Sequence, residues 1–138
     1  MFNKILLAFD GSPAAGKAFD LALDLAMKYG SELEVLAVAR PPDFEHEAKT
    51  DAVVENSRNH YRRVLEPLKD QVRAMGLTVQ FEVASGHPAE HIVLEAQKRG
   101  VQLVVLGHRG HGLSGRWLVG SVAKHVMQHA PCAVLVAR

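Results

Sequence analysis

The 138 residues suit a single domain spanning 1–138, long enough to bury an aliphatic core and too short for a two-domain enzyme. Apolar residues make up 48% and charged residues 22%, a globular balance, and aromatics are only 6%. A net charge of +1 with interleaved signs excludes a broad field for nucleic acid or membrane, and the lone Cys132 excludes an intrachain disulfide or a cysteine-based zinc site.

No apolar run approaches the roughly 18 residues of a membrane span. Met1 to Asp10 leads into a strand without a signal-peptide pattern, so the expected location is the cytoplasm. Cys132 is expected to be a small buried hydrophobe.

Lys4 to Phe9 is a short apolar run stopped by Asp10-Gly11-Ser12-Pro13, which predicts a buried strand and a turn. Helical periodicity follows from Phe19 to Tyr29, with Gly30 as its stop signal. Leu33 to Ala39 predicts a second strand, closed by Arg40-Pro41-Pro42. The loop from Arg40 to Asp51 is the segment expected to be most mobile.

From about Glu47 to Met75 runs a charged helical stretch with Val53, Val54, Tyr61, Val64, Leu65, Leu68 and Val72 at heptad-like spacing, and Pro67 as a candidate kink. Thr78 to Ala84 alternates as a strand, and Pro88 opens a helix running to Gly100. Val101 to Leu106 is another buried strand, Val119 to His129 is helical, and Ala133 to Ala137 closes the chain as a strand. This β-α alternation predicts an α/β fold: a parallel sheet covered by helices on both faces. Ligands of such sheets bind where strand order reverses, here beyond Asp10 and Gly107.

The segment from Gly107 to Ser121 carries glycines at 107, 110, 112, 115 and 120, after a strand and before a helix. Glycines let backbone N–H groups approach a ligand closely, and a helix N-terminus favours anions. Ser114 and Ser121 offer hydroxyls, while His108, Arg109, His111 and Arg116 supply local positive charge for a polyphosphate. A glycine-rich linker is the alternative, made less attractive by those basic residues.

The spacing Gly107-x2-Gly110-x9-Gly120-Ser121 resembles the G-x2-G-x9-G-[ST] pattern of ATP-binding universal stress proteins. The likeness extends along nearly the whole chain, through KILLAFDGS, GHPAEHIVLEA and GSVAKHVMQHAPCAVLVAR. It implies a doubly wound five-stranded sheet in the order 3-2-1-4-5. It also implies ATP as ligand, with Mg2+ or Mn2+, and a homodimer paired through the C-terminal strand. By this resemblance Asp10 would meet the ribose or adenine side and Val38 would offer backbone to the adenine. Leu106, Gly107, Arg109, Gly110, Gly120, Ser121 and Val122 would surround ribose and phosphates. The chain departs from the family's common pattern at Ala39-Arg40 and at His87, where acidic residues are frequent.

Two rival motifs compete. Gly11-x4-Gly16-Lys17-Ala18 nearly fits a phosphate-binding P-loop, but Ala18 lacks the hydroxyl that would bind magnesium, so Ser12 is read as a helix cap. His87-x2-Glu90-His91 fits a zinc-peptidase pattern, yet no third ligand is evident. His125 and His129 suit the C-terminal end of a helix dipole, and Trp117 suits anchoring of the glycine-rich loop. Arg58, Arg62, Arg63, Lys69 and Arg73 read as the solvated face of a long helix, without the interleaved aromatics that nucleic-acid binding would use.

The leading expectation is a nucleotide-binding regulatory protein. The alternatives are a slow ATPase or nucleotidyl-transfer enzyme built around Asp10, and a nucleotide-independent dimeric scaffold.

Overall fold

A computed structural model describes residues 1–40, 51–110 and 119–138. Strand β1 (Lys4–Ala8) leads to helix α1 (Pro13–Tyr29), then β2 (Glu32–Ala39) and α2 (Asp51–Ala74). These are followed by β3 (Val79–Ser85), α3 (Pro88–Arg99), β4 (Leu103–Gly107), α4 (Ser121–His129) and β5 (Ala133–Ala137). All pairings are parallel and the order is β3-β2-β1-β4-β5, as expected.

The central strand β1 alternates between two cores. Ile5 and Leu7 point into a layer shared with Phe19 and Leu23 of α1 and Leu65 and Leu68 of α2. Leu6 points the other way, to Ile92 and Ala96 of α3 and to Ala123 and Val126 of α4. A strand covered on both faces has no polar side to show, so β1 and β4 read as unbroken apolar runs.

Helix α1 begins at Pro13, as the reading of Ser12 as its cap requires, six residues before the periodicity that starts at Phe19. Ser12 is extended (φ −71°, ψ 160°) and its Oγ accepts the Ala15 N–H at 3.2 Å, while Pro13 occupies a position that needs no N–H. The first turn buries Ala14, Ala15 and Ala18, residues too small to register as an amphipathic stripe. At its other end Gly30 takes the left-handed conformation (φ 63°) that terminates the helix.

Helix α2 runs through Pro67 without ending, and only Leu65, Leu68 and Val72 are fully buried along it. Val53 remains exposed, so the heptad-like pattern describes core packing only in the C-terminal half. The expected stretch before Asp51, within residues 41–50, lies outside the described residues. Six expected strand boundaries shift by one or two residues, within the usual fraying of such ends.

Arg62 pairs with Glu55 and Arg73 with Asp70 on the solvated face of α2, but Arg58 turns inward, donating from Nη2 to Ser85 Oγ at 3.3 Å. Across the sheet, Arg99 of α3 bonds three carboxylates: Glu34 of β2 at 2.9 Å, Glu82 of β3 at 2.7 Å and Glu95 at 2.7 Å. Burial raises the Glu34 carboxyl to about 7, against the opposing pull of Arg99.

Cys132 is half-buried rather than buried, and the same desolvation raises its thiol pKa. Strand β5 forms one edge of the sheet, with Val134, Leu135 and Val136 half-buried. No helix among the described residues is long and apolar enough to cross a membrane.

Candidate functional site

Strand order reverses at β1, which pairs with β2 on one side and β4 on the other. The loops leaving β1 and β4 therefore part company, and a cavity of about 470 Å3 opens beyond their carboxyl ends. That volume falls in the usual range of small-ligand sites, roughly 300–1,000 Å3.

Asp10 stands where β1 ends. Its Oδ1 accepts the Ser12 N–H at 2.9 Å, a local bond that pins the carboxylate beside the turn into α1. Gly107 closes β4 against the first turn of α1: a Cβ there would meet Ala14 at 2.8 Å and the Ala15 nitrogen at 2.9 Å. Gly110 faces Asp10, and a Cβ on it would stand 2.6 Å from Oδ2. Gly107 is thus required by the close approach of backbone to backbone, whereas at Gly110 only the tip of the Asp10 side chain stands in the way.

The N-terminus of α4 forms the β4 side of the cavity. Gly120 is its cap (φ −64°, ψ 156°), without a side-chain hydrogen bond, and Lys124 is the first residue to donate back to the Gly120 carbonyl. The N–H groups of Ser121, Val122 and Ala123 therefore have no helical acceptor, and all three residues line the cavity. Helix α1 presents fewer such donors, since Pro13 has no N–H and the Ser12 hydroxyl accepts the N–H of Ala15.

The nine residues expected at the site, Asp10, Val38, Leu106, Gly107, Arg109, Gly110, Gly120, Ser121 and Val122, all line this one cavity. His108 does not. Its Nδ1 lies 3.1 Å from the Ala137 carbonyl, its N–H donates to the same oxygen at 2.7 Å, and its own carbonyl accepts from Gly120. The residue straps β4, β5 and α4 together instead of presenting charge to a ligand. His111, Gly112, Ser114, Gly115, Arg116 and Trp117 lie outside the described residues.

The rival motifs come apart in three dimensions. Gly16 and Lys17 sit inside α1, Lys17 exposed, so the P-loop pattern makes no phosphate cradle. His87 caps α3 while His91 lies 4.0 Å from Glu95, and neither joins a metal-binding group among the described residues. The group that does assemble, Glu34, Glu82 and Glu95, already has Arg99 bonded to each member. The His125 and His129 rings lie 4.4 Å apart at the end of α4.

Beyond Val38, the β2 side of the cavity was not foreseen. Arg40 follows β2, Tyr61 reaches in from α2, and Pro88 and Ile92 of α3 supply apolar wall. In the sequence Tyr61 reads as one more heptad residue.

The universal stress protein family model matches residues 1–138. Universal stress protein YxiE of Bacillus subtilis (strain 168) is 34% identical over 148 residues, covering 100% of both chains. Universal stress protein UspA from Lactobacillus plantarum is similar in structure, with a TM-score of 0.88 at 26% identity over 99% of this chain and 98% of that one. Two more distant structures share the fold. One is a universal stress protein in complex with cAMP (TM-score 0.75, 22% identity, 99% and 97% covered), the other an Arabidopsis thaliana family member with AMP bound (0.68, 18%, 98% and 90%). A family match over residues 1–138, a full-length relative at 34% identity and the shared five-stranded sheet agree: the chain belongs to the universal stress protein family.

Proposed function

We propose that this universal stress protein binds an adenine nucleotide, ATP carrying Mg2+ or Mn2+, in the cavity beyond β1 and β4, and acts in the cytoplasm as a nucleotide-dependent regulator. The observation that carries the reading is the uncapped N-terminus of α4, whose Ser121, Val122 and Ala123 line the cavity. Unpaired helix N–H groups and the helix dipole together favour a phosphate. In this pose phosphates rest on Gly110, Gly120, Ser121 and Val122, with the Arg109 guanidinium beside them, and the nucleoside lies between Leu106, Gly107, Asp10 and Val38. Family members that hold cAMP and AMP support a nucleotide as the ligand class.

Asp10 is the single carboxylate among the described residues of the cavity wall. That donor set fits an ion held chiefly by the phosphates, as magnesium usually is, and not one caged by protein ligands. When bound, the ion would offset phosphate charge.

Binding is favoured over turnover. Among the described residues the cavity's titratable side chains are Asp10, Arg40, Tyr61 and Arg109, and Asp10 is engaged by the Ser12 N–H. None is a histidine or a second carboxylate suited to orient an attacking water. The exposed edge of β5 is proposed to pair with its copy in a homodimer, which sedimentation at micromolar concentration would detect.

Absorbance and mass spectrometry of the purified protein, before and after saturation with ATP, test the reading. Bound adenine nucleotide is expected; its absence from both samples would overturn the proposal.

A further inference from the structure

Tyr61 is the phenol of the cavity wall. Its ring is half-buried against the core layer of α1 and α2, and the His60 ring meets it nearly edge-on at 5.3 Å between centroids. The core layer packed against the ring limits its freedom to swing away. The hydroxyl nevertheless has no hydrogen-bond partner among the described residues, although it belongs to a half-buried side chain on a cavity. With no partner among those residues to hold it, that oxygen is available to a ligand in the cavity.

The second observation is the neighbour. Asp10 lines the same cavity from the end of β1, and its charge is felt at the phenol: burial first, then Asp10, holds the Tyr61 pKa above its ordinary value. The hydroxyl therefore stays protonated as a hydrogen-bond donor, while the Asp10 carboxylate is an acceptor. A donor and an acceptor converging from two elements on one cavity match a vicinal diol, in which each hydroxyl both gives and receives a hydrogen bond. On the nucleotide reading, which this inference requires, that diol is the ribose.

We propose that Tyr61 and Asp10 together grip the ribose diol, Asp10 accepting from one hydroxyl and Tyr61 donating to the other, so that the site selects ribonucleotides over their deoxy forms. Tyr61 is thereby a specificity-determining residue contributed by α2, an element outside the glycine-rich loop.

Affinities of wild type and Tyr61→Phe for ATP, 2′-deoxyATP and 3′-deoxyATP provide the test, with thermal unfolding to confirm that both proteins are folded. Wild type is expected to prefer ATP over each deoxy form by about three- to tenfold, the worth of one neutral hydrogen bond. Tyr61→Phe, which keeps the ring, is expected to lose a similar factor towards ATP and to become indifferent to removal of one of the two hydroxyls. Unchanged ATP affinity in Tyr61→Phe, or an equal loss towards all three ligands, would overturn the inference while leaving the nucleotide reading intact. Wild type that binds none of the three would overturn that reading, and the inference with it.

Discussion

Oδ2 of Asp10 lies 2.6 Å from the point that a Cβ on Gly110 would occupy. The two residues come from the ends of different strands, β1 and the loop after β4, and the missing side chain at 110 is what lets the carboxylate stand at the cavity. The contact involves the tip of a short side chain, so a substitution at 110 displaces Asp10 before it disturbs the backbone.

Gly110→Ala is therefore expected to leave stability nearly unchanged, within about 0.5 kcal/mol by denaturant titration. ATP affinity is expected to fall by about tenfold, the scale of one charge-assisted hydrogen bond, because the displaced carboxylate no longer meets the nucleoside. Calorimetric binding alongside the unfolding curve separates the two effects. Equal affinity for wild type and variant would mean that Asp10 does not contact the ligand.

Gly107→Ala has the opposite signature. Its Cβ would press on the backbone of Ala14 and Ala15 at 2.8 to 2.9 Å, and neither can rotate aside. A loss of about 2 kcal/mol in unfolding free energy is expected, typical of overpacking in a close-packed interior. A stability equal to wild type would show that α1 can recede from β4 without cost.

Lys17→Ala and Ser12→Ala decide the fate of the P-loop-like segment. Lys17 is exposed within α1, so its replacement is expected to leave ATP affinity unchanged. Ser12→Ala removes the hydroxyl that caps α1 and is expected to cost about 1 kcal/mol of stability. Strong loss of affinity in Lys17→Ala, with the fold intact, would restore the phosphate-loop reading.

Stability should fall as pH rises from about 4.5 to about 7, the interval set by Glu34. Folded Glu34 keeps its proton there while the unfolded carboxyl has released it, so each step upward in pH favours the unfolded chain. The groups facing it are Arg99, which lowers its pKa, and Glu82 and Glu95, which raise it. Glu34→Gln is expected to be the more stable protein at roughly pH 8, with a shallower fall in melting temperature from roughly pH 5 upward. Parallel melting curves for the two proteins across that range would contradict the assignment.

Much of the architecture was legible in order. The unbroken apolar runs of β1 and β4, the stop signals at Gly30 and Gly100 and the prolines at 13 and 88 report local physics, and they sit where the fold uses them. Periodicity alone missed the first turn of α1, which only Ser12 and Pro13 marked, because Ala14, Ala15 and Ala18 bury small surfaces and leave no hydrophobic stripe. The N-terminal half of α2 misled in the other direction: Val53 and Val54 keep helical spacing, yet the core ends before it reaches them.

The sequence by itself determined that strands and helices alternate, that the sheet is parallel, and that glycines cluster between a strand and a helix. Those are properties of periodicity and backbone freedom, which neighbouring residues carry together. Only the tertiary structure decided which glycine answers to which neighbour, that His108 turns to Ala137 instead of the cavity, and that Tyr61 and Asp10 line one cavity whose wall α2 completes. Each of these joins residues far apart in the chain. Such contacts depend on how helices settle against a twisted sheet, and no local pattern of residues encodes that distance.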